Sequence, residues 1–129
     1  MNKFESPAMT ARATLKVNVL KNTALLCNRL EENFDYNFPK YAGSRQYTVT
    51  TGRKYHKIID NRGGSGDVAV HCFIDKNTGE VYKAASFTAP AKGVRYDLRL
   101  IEDREWLYSH ADWCGRYLYS KDVKFAHLK

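Results

Sequence analysis

Ala13, Val17, Leu20, Ala24 and Cys27 recur at steps of three and four residues, with Leu26, Leu30 and Phe34 widening the apolar stripe. Lys16, Lys21, Arg29 and Glu32 lie largely off it. Such spacing keeps side chains on one side of a 3.6-residue helix. Ser6 before Pro7 reads as an N-cap with proline at the first helical position, where the missing N–H costs nothing. The pattern therefore predicts one amphipathic helix from there to about Phe34, with Asn18 and Asn22 weakening its middle.

After Pro39 and Gly43 the period changes from helical to alternating. Gln46 to Thr51 and Arg53 to Asp60 are rich in Tyr, Val, Thr and Ile, as one bent strand or two. Val68, Val70, Cys72 and Ile74 predict a strand with that set facing the core and with His71 on the opposite face. Asn61 to Gly66 reads as a glycine turn. Asp75 to Gly79 reads as a short hairpin loop with glycine at a left-handed position, returning the chain into a strand over Glu80 to Ala85. Phe87 to Val94 is irregular, broken by Pro90 and Gly93. Trp106, His110, Trp113 and Tyr117, beside Leu107, Cys114 and Leu118, then predict a closing helix.

The architecture this implies is α+β: an antiparallel sheet of three to five strands flanked by an N-terminal and a C-terminal helix. Both helices cover one face, and the other is free to bind. No repeat or linker divides the chain, so residues 1–129 are expected to form a single domain.

Composition adds charge. Lys and Arg number 21 against 14 Asp and Glu, a net charge of +7. A basic surface raises the local concentration of anions, which makes nucleotides, nucleic acid or an acidic protein plausible partners. No apolar run reaches membrane-spanning length and the first residues lack a signal-peptide core, so no membrane partner and a cytoplasmic location are expected. Cys27, Cys72 and Cys114 are odd in number and far apart, each in apolar surroundings, which suits reduced buried thiols.

Most catalytic constellations fail on residue type or spacing. His110 and Cys114, one helical turn apart on the apolar stripe, supply two zinc ligands where four are needed, and core packing explains them better. His71 and Cys72, adjacent on a strand, point to opposite faces and cannot act as a nucleophile pair. Glu102, Asp103 and Glu105 open a predicted helix, where acids offset the helix dipole. The glycine turn at Asn61 to Gly66 lacks the lysine and helix of a phosphate loop. No catalytic residue, no metal and no cofactor is therefore expected; His56, His71 and Asp60 are the parts a hidden phosphodiesterase or nuclease would use.

Two stretches suit binding. Between Tyr36 and Arg62, Lys40, Arg45, Arg53, Lys54, Lys57 and Arg62 alternate with Tyr36, Phe38, Tyr41, Tyr47 and Tyr55, against the single acid Asp60. Flat rings beside cations are what a base and its phosphate require. From Lys83 to Arg95, small side chains let a ligand approach the backbone, Ser86 and Thr88 bring hydroxyls, and Lys83, Lys92 and Arg95 bring charge. The same residues also read as aromatics that are half core with solvated charges, and as an ordinary connector to the last helix.

The run Cys72 to Lys92, with Val94-Arg95 after it and Ala111 to Tyr119 further on, resembles a group of small uncharacterised proteins of tailed bacteriophages; the match spans roughly residues 54–119. The resemblance carries no activity with it. It implies the cytoplasm of an infected bacterium as location, and among phage roles it points to an anti-defence sponge. Such a protein, expected as a homo-oligomer, would capture a phosphorylated, nucleotide-like immune signal without catalysis through Lys83, Ser86, Thr88, Lys92, Arg95, Arg53, Tyr55 and Tyr47. Single-stranded nucleic-acid binding and inhibition of a host enzyme are the alternatives.

Overall fold

The computed structural model describes residues 7–62 and 66–119. The first helix, α1, runs Pro7–Asn37, about 46 Å at 1.5 Å per residue. The expected cap, Ser6, lies outside the described residues. At the other end Phe38 N still donates to Phe34 O and Asn37 Nδ2 to Asn33 O, which carries the helix beyond Phe34.

The stripe that α1 buries is not the one its spacing put first. Val19, Thr23, Leu26, Cys27, Leu30 and Phe34 are buried, whereas Ala13, Val17, Leu20 and Ala24 face solvent. The two stripes are neighbours, about 100° apart around the helix, and they meet at Cys27. The larger side chains of the second stripe go to the sheet. Thr23 satisfies its buried hydroxyl by donating back to Val19 O.

Five strands follow among the described residues: β1 Gln46–Thr51, β2 Tyr55–Asn61, β3 Val68–Asp75, β4 Glu80–Lys83 and β5 Tyr96–Asp97. They pair in chain order, every pair antiparallel. The two stretches before residue 62 are two strands joined by a hairpin, closed by Gly52 N donating to Tyr55 O. Asn61 pairs with Val68 across the glycine turn, of which residues 63–65 lie outside the described residues. In the next hairpin Asp75 Oδ1 accepts from Asn77 N and Thr78 N, and Gly79 adopts φ +82°. A Cβ at Gly79 would lie 3.4 Å from Val19 of α1, an ordinary contact, so it is the left-handed conformation for which the turn needs glycine.

A bulge breaks the β2–β3 register: Ile58 pairs with Cys72 but Ile59 pairs with Val70, leaving His71 extra. Alternation shifts there. His71 consequently turns towards Tyr47 and Tyr117, in the core that also holds Cys72, not to the opposite face as strict alternation predicts. Val68 is half-exposed.

The second helix, α2, spans Ile101–His110 and is shorter than its apolar repeat suggested. Ala111 to Gly115 turn away, with Gly115 at φ +79°, and Arg116–Leu118 make one 3-10 turn. Cys114 is thus exposed, against the expectation of a buried thiol, and the exposed His110 stacks on Trp106 at 4.8 Å rather than entering the core. Of the acids that open α2, Asp103 is buried and its Oδ2 accepts from Asp97 N at 2.7 Å.

Both helices and this C-terminal turn cover the sheet face carrying Tyr47, Ile58, Cys72, Ile74, Val81 and Tyr96. Polar side chains of α1 hold them there. Arg29 donates to Ala111 O and Ser109 O, Asn33 Oδ1 accepts from Trp113 N, and Glu31 accepts from Tyr47 N. Among the described residues no helix is long and apolar enough to cross a membrane.

Candidate ligand-binding face

Among the described residues no helix covers the opposite sheet face. By alternation it carries Thr48 and Thr50 of β1, Tyr55, Lys57 and Ile59 of β2, Val70 and Phe73 of β3, and Tyr82 of β4. Phe73 is its buried centre. Tyr55 meets Phe73 edge-on at 5.7 Å and Tyr82 at 6.0 Å, so three rings from three strands form one patch.

The connector between β4 and β5 completes the patch. Ala85 N and Ser86 N donate to Ala89 O, and Ala91 N donates to Lys83 O, so the segment folds into a tight excursion instead of a loose loop. Its apex presents Phe87, 50% exposed. Lys57 reaches Phe87 from the sheet: its Nζ donates to Phe87 O at 2.6 Å, lies 4.5 Å from the Phe87 ring centroid and 5.5 Å from that of Phe73. Lys54, at the β1–β2 hairpin, sets its ammonium 5.4 Å from the Tyr55 ring. Cations therefore stand over the exposed Phe87, the half-buried Tyr55 and the buried Phe73. Lost hydration, and after it Glu80, Tyr55 and Asp75, push the Tyr82 hydroxyl above the usual phenol range, so the β4 end of the patch is its acidic end.

The residues singled out by sequence divide. Tyr55 lies in the patch, and Arg53 is exposed on the adjoining hairpin. Ser86 and Thr88 flank Phe87 and are exposed, but the Ser86 hydroxyl accepts from Thr88 N and Ala89 N and so shapes the turn. Lys92 is exposed beyond it. Lys83 faces the helix side, where its ammonium rests 4.4 Å from the Tyr119 ring. Arg95 is half-buried, its Nε shielded and without a hydrogen-bond partner. Tyr47 is withdrawn from any ligand: 3% exposed, it donates its hydroxyl to Trp113 O at 2.6 Å, and burial pushes its pKa upward. Its position in β1 alternates with the open face, which is why it cannot join Tyr55. Phe73, Tyr82 and Phe87 were not singled out, and Lys57 was named only as one cation of the basic–aromatic stretch. The signal for three of them was register: Lys57 pairs with Phe73, and Phe73 with Tyr82.

The groups a hidden hydrolase would use each have a partner of their own. His56 shares a hydrogen bond with Thr51 Oγ1 at 2.8 Å, and His71 shares one with the Tyr117 hydroxyl at 2.7 Å. Asp60 is ion-paired to Arg45 and Arg62. Desolvation lowers the pKa of both histidines, His71 to about 3, and raises that of Asp60. Among the described residues no three of His, Cys, Asp and Glu gather where they could hold a metal ion.

The model of DUF7717, a family of unknown function, matches residues 2–120. No curated protein matches, and no solved structure matches.

Proposed function

The chain belongs to DUF7717, a family of unknown function, so its role is argued from its own surface, and we propose that it binds single-stranded nucleic acid on the open sheet face. The observation that carries the reading is Lys57 lying over both Phe73 and Phe87 while Tyr55 meets Phe73 and Tyr82 edge-on. A strand laid across β2, β3 and β4 would stack bases on Phe87, Tyr55 and Tyr82 and set its phosphates against Lys57, Lys54 and Arg53. Ring stacking accepts any base because every base has a π face, so the binding would be tolerant of sequence. A flat antiparallel sheet with aromatic rings on its solvent side is a recurrent platform for unstacked bases.

Capture of a free nucleotide, the role the phage resemblance implies, would use the same rings. It is the weaker reading because Lys83, proposed to hold its phosphates, is turned to Tyr119 on the helix side. Fluorescence anisotropy with labelled oligo-dT and oligo-U, beside duplex DNA, tests the first reading. Calorimetry against cyclic and ADP-ribose-type nucleotides tests the second. Micromolar or tighter binding of single strands, weakened by salt and at least about tenfold stronger than for duplex, is expected. Nucleotide binding without single-strand binding would reverse the order, and binding of neither would discard both.

A further inference from the structure

Helix α1 carries two apolar stripes and the fold uses one. Ala13, Val17, Leu20 and Ala24 follow four-three-four spacing and are all exposed, Val17 by 66% and Leu20 by 46%. Cys27 continues the spacing into the core and ends the free stretch. From Ala13 to Ala24 the seam is about 16 Å long. Its borders are basic: Lys16 and Lys21 flank it on opposite sides, Arg12 stands at its start, and no acid occurs between Pro7 and Leu30. Beside the seam an open cleft of about 270 Å³ separates α1 from the sheet end, lined by Lys16, Val17, Leu20, His56 and Lys76. Lys76 is pinned at that rim by donating to Gly52 O at 2.9 Å.

We propose that this face docks an α-helix of a partner protein, one with apolar residues at four-three spacing and Glu or Asp along its borders, whose largest apolar side chain enters the cleft. Four-three spacing lets two helices pack side by side with their apolar rows interlocked. Solvent-exposed Val and Leu in one row, rimmed by charge, mark such a surface. Charge chooses the occupant. In a parallel pairing with a second copy, Lys16 of one helix would face Lys21 of the other, and in either orientation no acid lies on this stretch to offset the repulsion. An acidic border on the partner converts the same lysines, with Lys76, into attraction. This surface lies on the helix side of the sheet, so the proposal stands apart from the single-strand reading.

The test uses the full chain and two synthetic three-heptad helical peptides with the same Leu seam, one bordered by Glu and one by Lys. Anisotropy should show binding of the Glu-bordered peptide at least about tenfold tighter than of the Lys-bordered one. Val17→Asp/Leu20→Asp, at exposed positions, should abolish it with an unchanged circular dichroism spectrum. Lys16→Glu/Lys21→Glu should reverse the preference between peptides. Equal affinity for both peptides, or binding that survives the aspartate pair, overturns the proposal. A dimer in sedimentation that the aspartate pair dissolves also overturns it, in favour of self-association, and so does binding to phosphatidylglycerol vesicles without binding to either peptide.

Discussion

Arg45 sets its Nε 3.1 Å from Asp60 Oδ1, without the directional geometry of a hydrogen bond, while its guanidinium lies 4.7 Å from the Trp113 ring and 5.1 Å from the Phe34 ring. One side chain thereby joins the end of α1, the start of β1, the end of β2 and the C-terminal turn. Removing it leaves a buried carboxylate whose remaining charge partner, among the described residues, is Arg62, 3.8 Å away. Arg45→Ala should cost about 3 kcal/mol in urea unfolding, and adding Asp60→Asn should recover part of that loss, because much of it is the uncompensated charge. A double variant as unstable as the single one would show that the ring contacts dominate.

His71 makes the protein sensitive to acid. Its folded pKa of about 3 lies below the ordinary value of 6.5, lowered by desolvation and by Arg45. Between those values the unfolded chain holds a proton that the folded chain does not, so stability falls as pH drops through the window, by at most about 1.4 kcal/mol per pH unit. His56 is shifted in the same sense, while Asp60, raised by desolvation, gains folding stability as it protonates and opposes the trend. His71→Gln, which keeps a partner for Tyr117, should flatten the pH dependence of the urea midpoint between pH 4 and 6. An unaltered slope would remove His71 from this role.

On the open face, Phe87→Ala and Tyr55→Ala should each weaken single-strand binding about 5- to 150-fold, the range for loss of one stacked base. Lys57→Ala should also reduce the slope of log affinity against log salt by about 0.7, one phosphate contact. Lys83→Ala should change little, since its ammonium is engaged with Tyr119. Anisotropy over a salt series checks all four, and a larger loss for Lys83 than for Lys57 would move the site to the helix side.

Gly115 and Gly43 share a left-handed backbone, φ +79° and +82°, yet only Gly115 has a close neighbour: a Cβ there would lie 3.3 Å from His71 Cε1. Both alanine variants should lose about 1–2 kcal/mol for the backbone conformation. Gly115→Ala should lose more in thermal unfolding, because the His71 ring is held by Tyr117 and has little room to give. Equal losses would show that the ring yields freely.

The open face was only partly legible in the sequence. Tyr55 and the basic–aromatic alternation around it were visible because strand residues two apart share a face. Phe87 was passed over because nothing local ties it to Lys57, thirty residues earlier. Tyr47 was misplaced among ligand residues because composition alone does not say which side of β1 faces the helices. Trp106 to Tyr117 read as one helix because their spacing is helical, although the chain turns extended at Ala111 and Asn33 of α1 then captures Trp113 N.

What the sequence determined by itself were the features set by near neighbours: a long first helix from its three–four spacing, an antiparallel meander from alternation and glycine turns, and a basic surface from composition. The tertiary structure decided which of two adjacent stripes on α1 the sheet would bury, where the β2–β3 bulge would turn His71, and which lysine would meet which ring. Each of those choices compares contacts between residues far apart in the chain. Packing them together in three dimensions is what separates the alternatives that local spacing leaves equal.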